Sequence, residues 1–268
     1  MRARRSPAPR SLSASRSKWT ACSRSDNPMA APFDLKAFAY AHRGLWLKAG
    51  PPENSLAGFR AAAQAGLGTE FDLRPAADGT AMIFHDSLLD RMTAASGVFE
   101  SLEAEALKSI PLQGGGEGIP TFDDLLGFWP AALPLLCELK IDGTTDPAAF
   151  ARTIADRLED WPGLAAAMSF SEDAVRALPE TLMRGQLVLP AVQAGESRFH
   201  ETVERAIRDG IDYLAVHHTD TGRAAAAAAK ADIPFVVWTV RSEAELAAAR
   251  PYNPAIIFEH IDPALAAP

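Results

Sequence analysis

Residues 37–74 read AFAYAHRGLWLKAGPPENSLAGFRAAAQAGLGTEFDLR and carry the pattern on which the fold turns. The segment 37–42 is a short β-type run closing on His42, and 68–74 is a second run that carries Glu70 and Asp72. Between them Leu56, Phe59 and Ala63 recur at helical spacing over 55–65, with Asn54 or Ser55 available as N-cap and Gly66 as terminator. A strand that reaches the next strand through a helix is the unit from which parallel sheets are built.

The same alternation continues along the chain. Further β-type runs fall at 81–85, 133–141, 165–170, 184–189, 213–216, 235–240 and 255–258, and most intervals are Ala-rich and helical. Residues 224–229 are six consecutive alanines, which favour helix. Thr121, with Asp124 three residues on, reads as a capping box ahead of Leu125 and Leu126. About eight strand–helix units in roughly 230 residues predict an α/β fold, a (β/α)8 TIM barrel rather than an open sheet. The Gly-rich stretch 113–118 reads as a loop, and no sequence repeat accompanies the structural one.

Composition narrows the function classes. The 268 residues are 48% hydrophobic and 22% charged, an ordinary globular balance. A net charge of −8 argues against affinity for nucleic acid or anionic lipid surfaces. No uncharged apolar run reaches the length of a membrane span, so no stable membrane insertion is expected. Two cysteines, Cys22 and Cys137, exclude a disulfide scaffold and point to a reducing, cytoplasmic compartment. Residues 1–28 hold seven cations, one acid and seven serines, which leaves 19 basic and 33 acidic residues, a net −14, for 29–268. The leader reads as a disordered basic segment, either an organelle transit peptide or, the preferred reading, an upstream extension before a start at Met29. Residues 29–268 are then the barrel domain.

Three ionisable clusters sit at predicted strand ends: His42-Arg43-Gly44, Glu70-Phe71-Asp72 and Glu138-Leu139-Lys140. Side chains two apart on a strand share a face, so Glu70 pairs with Asp72 and Glu138 with Lys140. Three carboxylates brought together resist ionisation unless a cation neutralises them, and all-oxygen ligands select Mg²⁺ or Ca²⁺. The competing reading is that these acids form salt bridges with Arg43, Lys140 or Arg74. His85 closes the run after the Asp78-Gly79 turn, and with His42 it gives two side chains able to carry protons near neutrality. Either histidine, taken alone, also reads as a hydrogen-bonded rim residue. Arg43 offers a fork and Lys140 a point charge for phosphate.

Together the runs His42-Arg43-Gly44, Pro52-Glu53-Asn54-Ser55, Glu70-Phe71-Asp72, Asp78-Gly79, His85-Asp86, Ile119-Pro120-Thr121, Glu138-Leu139-Lys140 and Trp238-Thr239-Val240 resemble the glycerophosphodiester phosphodiesterase family. The resemblance runs in order from about Tyr40 to Val240. It implies a TIM barrel with a short insertion after the second strand, here residues 87–118. It further implies metal-dependent hydrolysis of a small-molecule glycerophosphodiester to glycerol 3-phosphate and an alcohol. The residues matching the family's metal ligands are Glu70, Asp72 and Glu138, and those matching its acid/base pair are His42 and His85. Arg43 and Lys140 would bind phosphate, Trp238 would either wall the glycerol pocket or only pack, and Glu53 and Asn54 would support the cluster. Family enzymes are thought to let the glycerol 2-hydroxyl attack phosphorus first, forming a cyclic phosphate that water then opens.

Two positions depart from the pattern. Family members often carry Thr-Asp-x-Pro after the last strand, where this chain reads Phe258-Glu259-His260-Ile261-Asp262-Pro263, and Arg241 stands where Asn is common. His217-His218 read as a surface loop, and Cys137 as a buried thiol on the strand face opposite Glu138. The alternative activity is a phosphodiester lyase of the phospholipase C or sphingomyelinase D kind that stops at the cyclic phosphate. A third possibility is a barrel that binds phosphodiesters without reacting.

Overall fold

In the computed structural model the described residues are 32–268; the basic leader 1–28 and the start at Met29 lie outside them. Nine strands form one sheet: β1 (Ala39–His42), β2 (Gly68–Pro75), β3 (Ala81–Ile83), β4 (Leu135–Leu139), β5 (Ala165–Ser169), β6 (Met183–Val188), β7 (Tyr213–His217), β8 (Phe235–Val240) and β9 (Ala255–Phe258). Eight of them run parallel, and the β1–β2 pairing closes them into a barrel. The helices are α1 (Leu56–Gln64), α2 (Ala104–Lys108), α3 (Phe122–Leu126), α4 (Pro147–Glu159), α5 (Glu172–Ala177), α6 (Ala191–Ala194), α7 (Glu196–Arg208), α8 (Thr221–Ala231), α9 (Glu243–Ala249) and α10 (Pro263–Ala266). The fold is the expected (β/α)8 barrel. The run at 81–85 differs from expectation: β3 pairs antiparallel with β2 and stands outside the closed ring.

Alternation along each strand divides the core in two. One face of the ring points inward and packs Tyr40, Leu136, Met168, Met183, Leu187, Tyr213, Val236 and Ile257 into a filled interior. The other face carries Phe71, Leu73, Cys137, Leu139, Val237 and Phe258 against Phe59, Phe150, Ile154 and Phe199 of the helices. The interior tyrosines need room. A Cβ on Gly185 would stand 2.2 Å from the Tyr213 ring, and one on Gly68 2.7 Å from that of Tyr40.

Local signals set the element ends. Ser55 caps α1 by accepting from the Gly58 amide, which resolves the choice between Asn54 and Ser55. Thr121 and Asp124 form the capping box of α3. Residues 87–118 fold over a small core that Leu89, Phe99, Leu107 and Leu112 share with Met82 and Phe84 at β3. No described helix is long and apolar enough to cross a membrane.

Candidate active site

The register of the first strands brings the ionisable clusters together at the C-terminal mouth of the barrel. His42 pairs with Glu70 across β1 and β2, and Asp72 pairs with Glu138 across β2 and β4. Phe71 and Cys137 between these acids face the helices, so Glu70, Asp72 and Glu138 all turn inward. One oxygen from each lies within 4.8 Å of the others, and all three side chains are buried.

The loop after β1 is shaped to serve this cluster. Arg43 adopts a left-handed backbone, φ 57°, an unfavourable conformation for a long side chain. It is held by its amide donating to the Glu70 carbonyl at 2.8 Å and by its carbonyl accepting from the Asn54 amide at 2.8 Å. The next residue has to be glycine: Gly44 has φ +83°, and a Cβ there would stand 2.9 Å from the Gly58 backbone. In this arrangement Arg43 Nε lies 3.1 Å from Asp72 Oδ2, and its guanidinium donates to Glu53 Oε1 at 2.8 Å. Asn54 Nδ2 donates to Asp72 Oδ2 at 2.9 Å.

Lys140 completes the cationic side, 3.0 Å from Asp72 Oδ1 and 2.5 Å from Glu138 Oε1. Burial opposes ionisation of Asp72, but Lys140 and Arg43 outweigh it and hold its carboxyl well below the usual range. Glu70 behaves oppositely. Burial, then Asp72 and Glu138, push it well above its ordinary value, and Arg43 and Lys140 only partly offset this. The salt-bridge reading is therefore met at Asp72 and Glu138, while Glu70 resists ionisation. Arg74 takes no part, since it donates to Glu100, Asp142 and the His85 carbonyl. Three buried carboxylates within reach of one another, one of them resisting ionisation, fit a hard divalent cation.

Both histidines line the cavity that Glu70 and Glu138 border. His42 Nε2 is 3.8 Å from Glu70 Oε2, and Nδ1 is 2.6 Å from Glu259 Oε2. Burial lowers the His42 pKa and outweighs the Glu259 hydrogen bond that raises it. His85 Nδ1 is 2.6 Å from Asp86 Oδ1, and Asp86 is held in turn by Arg91 Nε at 2.6 Å. Sequence reasoning gave no role to Glu259 or Arg91 and noted Arg241 as a departure from the family pattern. The signal that could have found Arg241 and Glu259 is that both lie in segments that depart from the family pattern.

The cluster opens into a cavity of about 150 Å³ walled by His42, Arg43, Glu138, Lys140, Leu187 and Trp238. A groove of about 480 Å³ adjoins it, bordered by His85, Asp86, Ser87, Asp142, Phe170 and Ser171. Trp238 packs edge-to-face with Phe170 and His217, at 5.7 and 5.3 Å, and its Nε1 is buried without a hydrogen-bond partner. His217 ends β7 and packs behind Trp238, while His218 lies 3.8 Å from Glu245. Cys137 is buried, as expected.

A (β/α)8 barrel with clustered carboxylates, two histidines and paired cations at its mouth has the architecture of a phosphodiester-handling barrel. This chain belongs to the glycerophosphoryl diester phosphodiesterase family, whose model matches residues 42–262. It is 38% identical over 93 residues to the "Probable glycerophosphodiester phosphodiesterase 2" of Mycobacterium tuberculosis, which takes in 34% of each chain. It is 42% identical over 73 residues to the glycerophosphodiester phosphodiesterase 1 of Bos taurus, 27% of this chain and 22% of that one. The matched segments thus span about a third or less of these curated relatives. In fold, it is similar to an Oleispira antarctica phosphodiesterase solved with the product sn-glycerol-3-phosphate, with TM-score 0.69, 22% identity and coverage of 85% of this chain and 94% of that one. It is also similar to a Silicibacter pomeroyi protein with TM-score 0.71, 21% identity and coverage of 89% and 92%.

Proposed function

We propose that this chain hydrolyses glycerophosphodiesters to glycerol 3-phosphate and an alcohol, using a divalent cation, Mg²⁺ or Ca²⁺, on Glu70, Asp72 and Glu138. The observation that carries this reading is the convergence of those three buried carboxylates beside a cavity that His42 and His85 also line. Family membership, the small cavity and the product held by the Oleispira protein support the same substrate class. When bound, the cation supplies fixed positive charge where the phosphoryl oxygens gain negative charge.

The chain's own residues do the rest. Arg43 and Lys140 flank the cluster and neutralise a phosphate seated on it. His42, kept neutral by burial on the closed side, takes the proton from the attacking hydroxyl. His85 borders both the cavity and the open groove, so it faces a leaving alcohol lying in that groove and gives it a proton. With the glycerol 2-hydroxyl as the attacking group the first product is a cyclic phosphate; water then attacks phosphorus as His85 takes its proton, and His42 returns a proton to the 2-oxygen as the ring P–O bond breaks. Trp238 walls the glycerol pocket and offers its indole N–H to a glycerol hydroxyl. Glu53 and Asn54 hold Arg43 and Asp72 in place. Overall acidity and sparse cysteines support a cytoplasmic enzyme acting on small molecules rather than on nucleic acid.

The test is an assay of metal-stripped protein on glycerophosphocholine and glycerophosphoethanolamine, with and without added Mg²⁺, Mn²⁺ or Ca²⁺. Metal-dependent release of glycerol 3-phosphate is expected. Phosphorus NMR separates this from a lyase, whose final product is a cyclic phosphate. Inactivity on both substrates with every metal would overturn the reading.

A further inference from the structure

The two departures from the family pattern meet in the structure. Arg241 follows β8 and Glu259 follows β9, and Arg241 Nε lies 2.5 Å from Glu259 Oε1. The other oxygen, Oε2, sits 2.6 Å from His42 Nδ1. One buried carboxylate thus bridges a barrel-rim arginine and a histidine of the site. Burial opposes its ionisation, yet His42 and Arg241 together bring Glu259 down to about 2.

An ionised carboxylate only accepts, so the hydrogen in its bond with His42 belongs to Nδ1. The free lone pair is then on Nε2, the nitrogen that faces Glu70 Oε2 at 3.8 Å on the cavity side. The imidazole is one of the few side chains whose two nitrogens are fixed to different tasks by such a partner. The arginine, with five donors and no means of accepting, sets which way the carboxylate points.

We propose that Glu259 is the positioning residue for His42 and that Arg241 acts through Glu259. The carboxylate keeps Nε2 aimed at the reacting phosphodiester and stabilises the imidazolium formed during reaction. In that step the O–H bond of the attacking hydroxyl breaks as its O–P bond forms, and the proton passes to Nε2. The bond from phosphorus to the alcohol breaks, and that oxygen takes its proton from the acid on the other side. The proposal rests on the phosphodiesterase reading above.

Kinetics and NMR on the full chain test it separately. Glu259→Ala is expected to lower kcat by about tenfold or more, a part of what general acid–base catalysis contributes, with KM within about twofold. Glu259→Gln, which still accepts a hydrogen bond, falls between the two. Arg241→Met is expected to lower kcat severalfold in the natural background and to have no effect beside Glu259→Ala. Nitrogen-15 NMR of the substrate-free protein should show His42 protonated on Nδ1 alone. Natural turnover in Glu259→Ala, equal Arg241→Met effects in both backgrounds, or a proton on Nε2 would each overturn it. The NMR result needs neither substrate nor a variant that folds, so inactivity on glycerophosphodiesters would sink the functional reading while leaving this one tested.

Discussion

Arg91 Nη2 lies 2.6 Å from Glu53 Oε1, joining the insertion to the loop that follows the first strand. The same guanidinium holds Asp86, the partner of His85, while Glu53 also holds Arg43. One side chain of residues 87–118 therefore ties together the supports of His85 and of Arg43. Arg91→Ala is expected to lower turnover on glycerophosphodiesters about tenfold, since small misplacements of reacting groups are costly. Circular dichroism should show the barrel intact, because Arg91 is half-exposed and outside the core. Natural kcat in this variant would remove the insertion from the site's support.

The histidines give a larger effect. His42→Ala and His85→Ala are each expected to lower turnover by at least the roughly hundredfold typical of general acid–base catalysis. Each side chain has its Nδ1 beside a carboxylate, so under the proposed mechanism Nε2 is the atom that moves the proton. Steady-state rates of the purified variants on glycerophosphocholine check this, and an undiminished rate excludes that residue from proton transfer.

A packing prediction concerns the barrel interior. Gly185→Ala places a methyl 2.2 Å from the Tyr213 ring, which is fully buried and has no free space to turn into. Overpacking of this kind costs about 1–3 kcal/mol. Urea unfolding should show a lower midpoint with an unchanged slope. An unshifted midpoint would mean that the ring moves aside freely.

The ring of strands was legible because barrel strands are short β-type runs set between helical ones, and the acids recur two apart where only one face carries chemistry. Residues 81–85 misled because a β-type run announces a strand but not its partner, and the antiparallel pairing with β2 is a matter of register. The run 133–141 was too long because Leu133 and Ile141 continue the apolar pattern beyond the ladder that defines Leu135–Leu139. Glu70 could be paired with Asp72, and Glu138 with Lys140, from spacing, but the closeness of the three acids depends on β2 and β4 being neighbours with β3 outside. Glu259 was out of reach for a different reason: it meets His42 across 217 residues of chain, and no local periodicity reports such a contact.

Asp86 makes acid stability a test of the His85 support. Burial raises its pKa, but hydrogen bonds from Arg91 and His85 bring it down from 3.8 to about 2. A carboxyl depressed in the folded state stabilises fully above its unfolded pKa and loses that contribution as pH falls through the folded one. The full difference corresponds to about 2 kcal/mol, reduced to about 1 kcal/mol by solvent screening at a site whose arginine is half-exposed. Asp86→Asn should therefore be less stable than the natural chain at pH 6, with the gap narrowing as the pH is lowered to 3. Urea titrations at the two pH values measure it. A gap that stays constant or widens toward acid would show that Asp86 is not held ionised by Arg91 and His85.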